Sequence, residues 1–247
     1  MKHISRIAHS LLLLMAFAAI GANLSAQTEP SGAIQGRVVD SEGRPVFGAM
    51  VQTSRQPGFG AETELTVARA DTSGDGSFDL TGLNPGIYRL CAQQMGSALL
   101  DPCEWCDAPV TVQLNAGGLL QGVDVPVEFG TLLRIAIDDP QETLKAEEAD
   151  TKRKTSFLYV AIRSRAGNLR KAMLLRTTAT GYELGVAVPR DQDADLFVAG
   201  HNLALKGNDN RELPEMGQTI QIPKQAIAEA QANPLRFGLA RKTQVEP

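Results

Sequence analysis

Along the first part of the chain apolar and polar residues alternate in short runs, and clusters of Gly, Pro, Asn and Asp separate the runs. Ala33-Ile-Gln-Gly-Arg-Val-Val-Asp40 is one such run. A period of two predicts strands near 33–39, 49–54, 65–71, 77–80, 86–94, 110–114 and 122–127. The residues between them have turn chemistry. In Asp40-Ser-Glu-Gly43, Gly43 is expected at positive φ, with Pro45 opening the next strand where its missing N–H faces solvent. From Asp71 to Gly76, Asp71 and Asp75 are expected to accept backbone N–H groups. Leu83-Asn-Pro-Gly86 predicts a type II turn with Pro85 and Gly86 at its centre.

The second half, from Gly130, carries the same kind of signal. Thr131 to Asp138, Phe157 to Arg163 and Tyr182 to Val188 are short, rich in β-branched residues and bounded by polar ones. Gly76-Ser-Phe-Asp-Leu80 followed by Tyr88-Arg-Leu-Cys-Ala92 is echoed by Gly181-Tyr-Glu-Leu184 followed by Leu196-Phe-Val-Ala199. Two stretches break the rhythm. The run 141–154 mixes both signs of charge and reads as a solvated loop or short surface helix. Residues 224–232, with Pro223 before them and Asn233-Pro234 after, read as a helix, and a last strand is expected at 235–240. The fold class predicted is all-β: two antiparallel β-sandwich domains in tandem, over 31–129 and 130–247, with a short helix near the C-terminus.

Residues 1–26 read as an export signal. Lys2 and Arg6 precede the apolar run Leu11 to Ile20, and Leu24-Ser-Ala26 supplies small residues before an expected cut. The apolar run is too short to span a bilayer, and no membrane span is expected after the signal is removed. Without the signal, 22 basic residues face 28 acidic ones. That balance argues against nucleic acid as a partner, because phosphate binding draws on clustered Lys and Arg. His201 becomes the only histidine, which excludes a histidine-rich metal site and leaves little for a hydrolytic triad.

The ordered set Gly36, Val38, Asp40, Gly43, Pro45, Gly48, Ala49 and Val51, then Thr72, Gly76, Phe78, Leu83, Pro85, Gly86, Tyr88 and Leu90, resembles the carboxypeptidase regulatory-like domain, a prealbumin-like β-sandwich, over about 31–129. The resemblance implies a non-catalytic module that helps fold, space or dock its neighbours, or binds carbohydrate or protein surfaces. The histidine and glutamate ligands of the zinc enzymes that carry such modules have no counterpart here.

Three cysteines in an exported chain predict at least one disulfide. The bend expected at Gly96-Ser97 places Cys91 and Cys103 at similar distances from it, so these two are expected to pair, leaving Cys106 odd. Cys103-Glu-Trp-Cys106 has redox-motif spacing, but the flanks Asp101-Pro102 and Asp107-Ala-Pro109 point to a loop rather than to a thiol-activating helix. Trp105, the only tryptophan, is expected to pack over the disulfide and the sheet edge; the alternative is an exposed stacking platform for a sugar. Asp71 to Gly76 superficially resembles a calcium loop, yet Gly82 stands where the bidentate Glu belongs. His201 reads as a turn residue, and Asp138-Asp139 as loop acids, since neighbours on a strand face opposite ways. No cofactor, metal or catalytic residue is expected. The expected ligand surface is the end loops 56–64, with Phe59, and 99–108, with Trp105 and Cys106; the expected partner is a protein or glycan surface of the cell envelope.

Overall fold

The computed structural model describes residues 31–55, 65–144, 157–201, 203–207 and 219–241. The leader, the 56–64 loop with Phe59 and residues 145–154 of the charged run lie outside the described residues. The first half forms β1 (Gly32–Val39), β2 (Met50–Arg55), β3 (Leu65–Asp71), β4 (Ser77–Leu83), β5 (Gly86–Gln93), β6 (Leu99–Leu100), α1 (Pro102–Trp105), β7 (Thr111–Leu114), β8 (Leu119–Pro126) and β9 (Glu128–Phe129). The second forms β10 (Thr131–Asp138), β11 (Phe157–Arg163), β12 (Leu169–Lys171), β13 (Met173–Thr178), β14 (Gly181–Val188), β15 (Ala194–His201), β16 (Leu203–Lys206), β17 (Thr219–Ile222), α2 (Lys224–Glu229) and β18 (Leu235–Arg241).

In the first half a sheet ordered β4-β1-β8 packs on one ordered β3-β2-β5-β7. Alternation decides which residues meet. Ile34 and Val38 of β1, Phe78 and Leu80 of β4, and Val51, Tyr88 and Leu90 of the facing sheet are all buried, and each fully buried aliphatic side chain contributes roughly 1.5–3 kcal/mol. The turn after β1 closes as expected: Gly43 sits at φ 77°, its N–H donates to the Asp40 carbonyl at 2.9 Å, and the Asp40 carboxylate accepts from Glu42 and Arg44 N–H groups. Asp75 likewise accepts from Ser77 N–H and Ser73 Oγ, and hydrogen bonding from the Ser77 side chain first, then from Ser73 and the Ser77 N–H, holds its pKa down at about 2.

The second half repeats this plan. Its sheets are ordered β13-β14-β10-β18-β16 and β12-β11-β15-β17. Matching β10, β11, β12, β14, β15, β17 and β18 to β1, β2, β3, β4, β5, β7 and β8 reproduces both strand orders of the first half, with β13 and β16 added at the flanks. The echo at 181–184 and 196–199 falls on β14 and β15, the counterparts of β4 and β5. Leu133, Ile135, Ile162, Leu196 and Leu205 are among the residues of its own buried core.

Several local expectations are corrected. The sheets are mostly antiparallel, but β1 pairs in parallel with β8, and β10 with β18, because the chain reaches each closing strand by way of the other sheet. Pro45 makes only an isolated bridge to Val39, and the next strand starts at Met50. Gly86 does not take positive φ; it opens β5 beside the flexible Arg55 side chain, so the expected turn geometry is not what it supplies. The C-terminal helix ends at Glu229, short of residue 232. His201 is the last residue of β15, opposite Phe157, and not a turn residue.

At Gly36 the chains of β1 and β8 approach closely, and a Cβ would lie 1.9 Å from the Val123 carbonyl oxygen. Gly36→Ala is therefore expected to cost roughly 3 kcal/mol or more in chemical denaturation, through displacement of β8. Gly74→Ala, where a Cβ meets nothing within 4 Å, is expected to leave the midpoint unchanged.

Candidate functional site

After β5 the chain turns at Gly96-Ser97, as the sequence predicts, and returns through β6 to Asp101. Here the expected loop is instead one helical turn. The Asp101 carboxylate accepts the Cys103 N–H at 3.0 Å, and Pro102 takes a first-turn position where its missing N–H is no loss. Cys103 is bridged to Cys91 on β5, as expected, and this fixes the back of the turn to the first sandwich.

The front of the turn reaches the second sandwich. Glu104 accepts from the Ser164 hydroxyl at 2.7 Å and the Asn168 amide at 3.2 Å, and its backbone carbonyl accepts the Ala166 N–H at 3.1 Å. All three donors lie in or beside the turn between β11 and β12. Arg170 of β12 lies 3.5 Å from Asp101 and 3.6 Å from Glu104. Burial pushes the Asp101 pKa up, and the charge of Arg170 opposes that push. Trp105 is half-buried and packs against the core of the second sandwich. The connection is tied down as well: Gly130 N–H donates to the Ala98 carbonyl, and Arg190 Nε donates to the Gly130 carbonyl at 2.9 Å.

Beside this turn the two sandwiches enclose a cleft of about 540 Å³, within the size range of ligand sites. One wall carries Phe47, Met50, Met95 and Leu99, with the amides of Gln93 and Gln94; the facing wall carries Leu132, Lys171, Met173 and Val186, and Trp105 sits between them. The structure thus brings Cys91, Cys103 and Trp105 together, with Trp105 at the cleft. Cys106 is a free, half-buried thiol whose pKa is raised, chiefly by burial. Cys103 is already committed to Cys91, so the Cys103–Cys106 pair does not form. Cys91, Asp101 and Cys103 lie within ligand distance of one another, but bridged sulfurs are not thiolates and offer a cation only the carboxylate. Asp138 pairs with Arg236, and buried Asp139 accepts the Thr143 and Leu144 N–H groups, so these neighbours diverge as strand geometry requires.

Glu104, Ser164, Asn168 and Arg170 were not singled out by the sequence. The one local signal at the contact is Asp101-Pro102, an N-cap followed by a first-turn proline.

Residues 33–104 match the family model of the carboxypeptidase regulatory-like domain, which covers the first sandwich up to α1. No curated protein matches the chain. Similar solved structures include the Bacillus anthracis TIE protein, at 14% identity and a TM-score of 0.29 over 78% of this chain and 31% of that one. A streptococcal ancillary pilin is 11% identical, with a TM-score of 0.35 over 80% of this chain and 59% of its own. A shaft pilin SpaA variant from Lactobacillus rhamnosus GG is 9% identical, with a TM-score of 0.30 over 89% of this chain and 100% of its own. The chain spans less than a third of the TIE protein, and likenesses this distant carry nothing about function.

Two outcomes are expected of the interlocking turn. Cys91→Ser with Cys103→Ser, or reduction of the wild type, lowers stability by roughly 3 kcal/mol and moves Trp105 emission to the red before far-ultraviolet dichroism is lost. Emission and dichroism changing together would contradict this. The second outcome concerns Asp101. Its raised pKa means that the folded protein keeps its proton above the ordinary value of 3.8, where the unfolded chain has released it. This group's contribution therefore declines as pH rises through that window. Asp101→Asn, which keeps the cap acceptor, is expected to show a smaller decline in thermal midpoint between about pH 4 and 7 than the wild type.

Proposed function

We propose that the protein is an exported, non-enzymatic module of two β-sandwiches that binds or scaffolds at the periplasm or cell envelope, and that the cleft between the sandwiches is its working surface. The observation that carries this reading is the interlock. A disulfide, a buried carboxylate with an arginine, and a half-buried tryptophan together set one sandwich against the other beside an apolar concavity. A fixed concavity loses little entropy on binding, which favours recognition by a preformed surface.

Export is supported by two features. The first residues have the layout of a secretory signal, and a structural disulfide needs an oxidising compartment to form and persist. Among the described residues no helix is long and apolar enough to cross a membrane. The carboxypeptidase regulatory-like match over 33–104 is to a regulatory rather than a catalytic domain, in keeping with a module that acts by contact.

A second reading is favoured by Trp105 and the Gln93 and Gln94 amides lining one cleft: an indole face with neutral hydrogen-bonding groups suits a sugar ring.

Fractionation of the producing organism, with thiol labelling before and after reduction, tests the primary reading. The expected result is an extracytoplasmic protein that carries one bridged cysteine pair and sediments saturably with isolated envelope material. A cytoplasmic protein with all thiols reduced, or turnover of any substrate by the purified chain, would overturn it. A glycan array with wild type and Trp105→Ala separates the two: retention lost in the variant selects the sugar, and no retention by either selects a protein surface.

A further inference from the structure

From Phe157 to Tyr182 the chain carries Arg163, Arg165, Arg170, Lys171 and Arg176 and not one acid, although its net charge is −4. This stretch builds β11, β12 and β13 on one flank of the second sandwich. Three of its cations have partners: Arg165 with Asp107, Arg170 with Asp101 and Glu104, and Arg176 with Glu183. Lys171 is exposed at the cleft and makes no ion pair among the described residues.

Next to this charge lies an apolar rim. Phe47 is 67% exposed, Met95 75% and Met173 41%, and all three line the same cleft from its two walls. Leu174, 56% exposed, follows directly on Met173. Methionine is unbranched and polarisable, so a surface built on Met50, Met95 and Met173 moulds itself to varied apolar side chains. A contiguous exposed patch of this kind marks an interaction site.

The rim runs into an open strand edge. β13 is the terminal strand of its sheet and has no further strand partner among the described residues. The register shift between Leu174 and Arg176 marks a bulge at Leu175, whose side chain lies against Gly185 and reaches toward Gly96 at the cleft.

We infer that the cleft takes an extended peptide of alternating apolar and acidic residues, laid along β13, with apolar side chains among Phe47, Met95 and Met173 and an acidic one on Lys171. This rests on the reading of the cleft as a binding surface and names its occupant. Charge complementarity selects the acidic partner at the β12–β13 side of the cleft: residues 157–182 hold no acid and Lys171 has no ion pair among the described residues. The two acids that line the cleft, Asp71 and Asp101, belong to the first sandwich, and Asp101 faces Arg170. The cleft volume fits a few side chains and not a folded domain. The open edge suits a chain in extended form, whose backbone completes the ladder while alternate side chains enter the cleft.

The test uses the full chain and a fluorescein-labelled synthetic peptide of about seven residues in which valine alternates with glutamate, read by polarisation. A second peptide has lysine in place of glutamate. Saturable binding of the acidic peptide is expected, weakened about tenfold or more by Leu174→Asp and by Lys171→Glu, with the lysine peptide binding only the Lys171→Glu variant. Both positions are exposed, and unchanged thermal midpoints certify that the variants fold. Amide hydrogen exchange of Met173–Thr178 is expected to slow when the acidic peptide is added. The inference is overturned if the acidic peptide does not saturate, or if it binds the two variants as tightly as the wild type. It is likewise overturned if the flank instead captures phosphatidylglycerol vesicles or maltohexaose, or pairs with a second copy by sedimentation analysis. Those failures would leave envelope association, measured by fractionation, untouched.

Discussion

One helical turn holds the two sandwiches in register: it is fixed behind by the Cys91–Cys103 bridge and in front by the Glu104 carboxylate. Neither half of that grip works without the other. The disulfide keeps Pro102–Trp105 from moving as a loose loop, so the side chains it presents lose little freedom when they dock. Glu104 then meets three groups around the β11–β12 turn, and Trp105 enters the second core. Asp101 serves both sides, capping the turn while sharing Arg170 with Glu104. A charge this buried is costly, and the arginine offsets the cost only in the assembled geometry. The cleft exists because this grip lies to one side of it.

Much of the architecture was legible in the sequence. Strands buried on one face advertise themselves by alternation, and those read at 33–39, 131–138 and 157–163 stand within a residue of β1, β10 and β11. What escaped were elements with no alternation to read: β16 and β6 are short and buried at successive residues, and others have no buried face. In β13 only Leu175 is even half-buried, so Met173-Leu-Leu-Arg-Thr-Thr178 shows no period of two. β12 is three residues long, too short for any period to register. The parallel pairings of β1 with β8 and β10 with β18 join residues far apart in sequence and leave no local trace.

The site was legible only in its covalent part. Cysteine spacing around a recognisable bend identified the Cys91–Cys103 pair, because both the bend and the partners lie within a dozen residues. The contacts of Glu104 with Ser164, Asn168 and Arg170 span about sixty positions, and polar residues in a surface turn look alike whether or not another unit lands on them. The packing of Trp105 against the core of the other half of the chain has no local signal for the same reason.

The place of β18 sets the timing of assembly. It lies between β10 and β16, in the interior of its sheet, and is supplied from residues 235–241. The first sandwich has the last strand of its two sheets, the edge strand β8, once residue 126 has emerged, whereas the second stays divided until more than a hundred further residues are free. A chain delivered from its N-terminus therefore finishes one half early and holds the other open, with β10 and β16 lacking their shared neighbour, until the end of delivery.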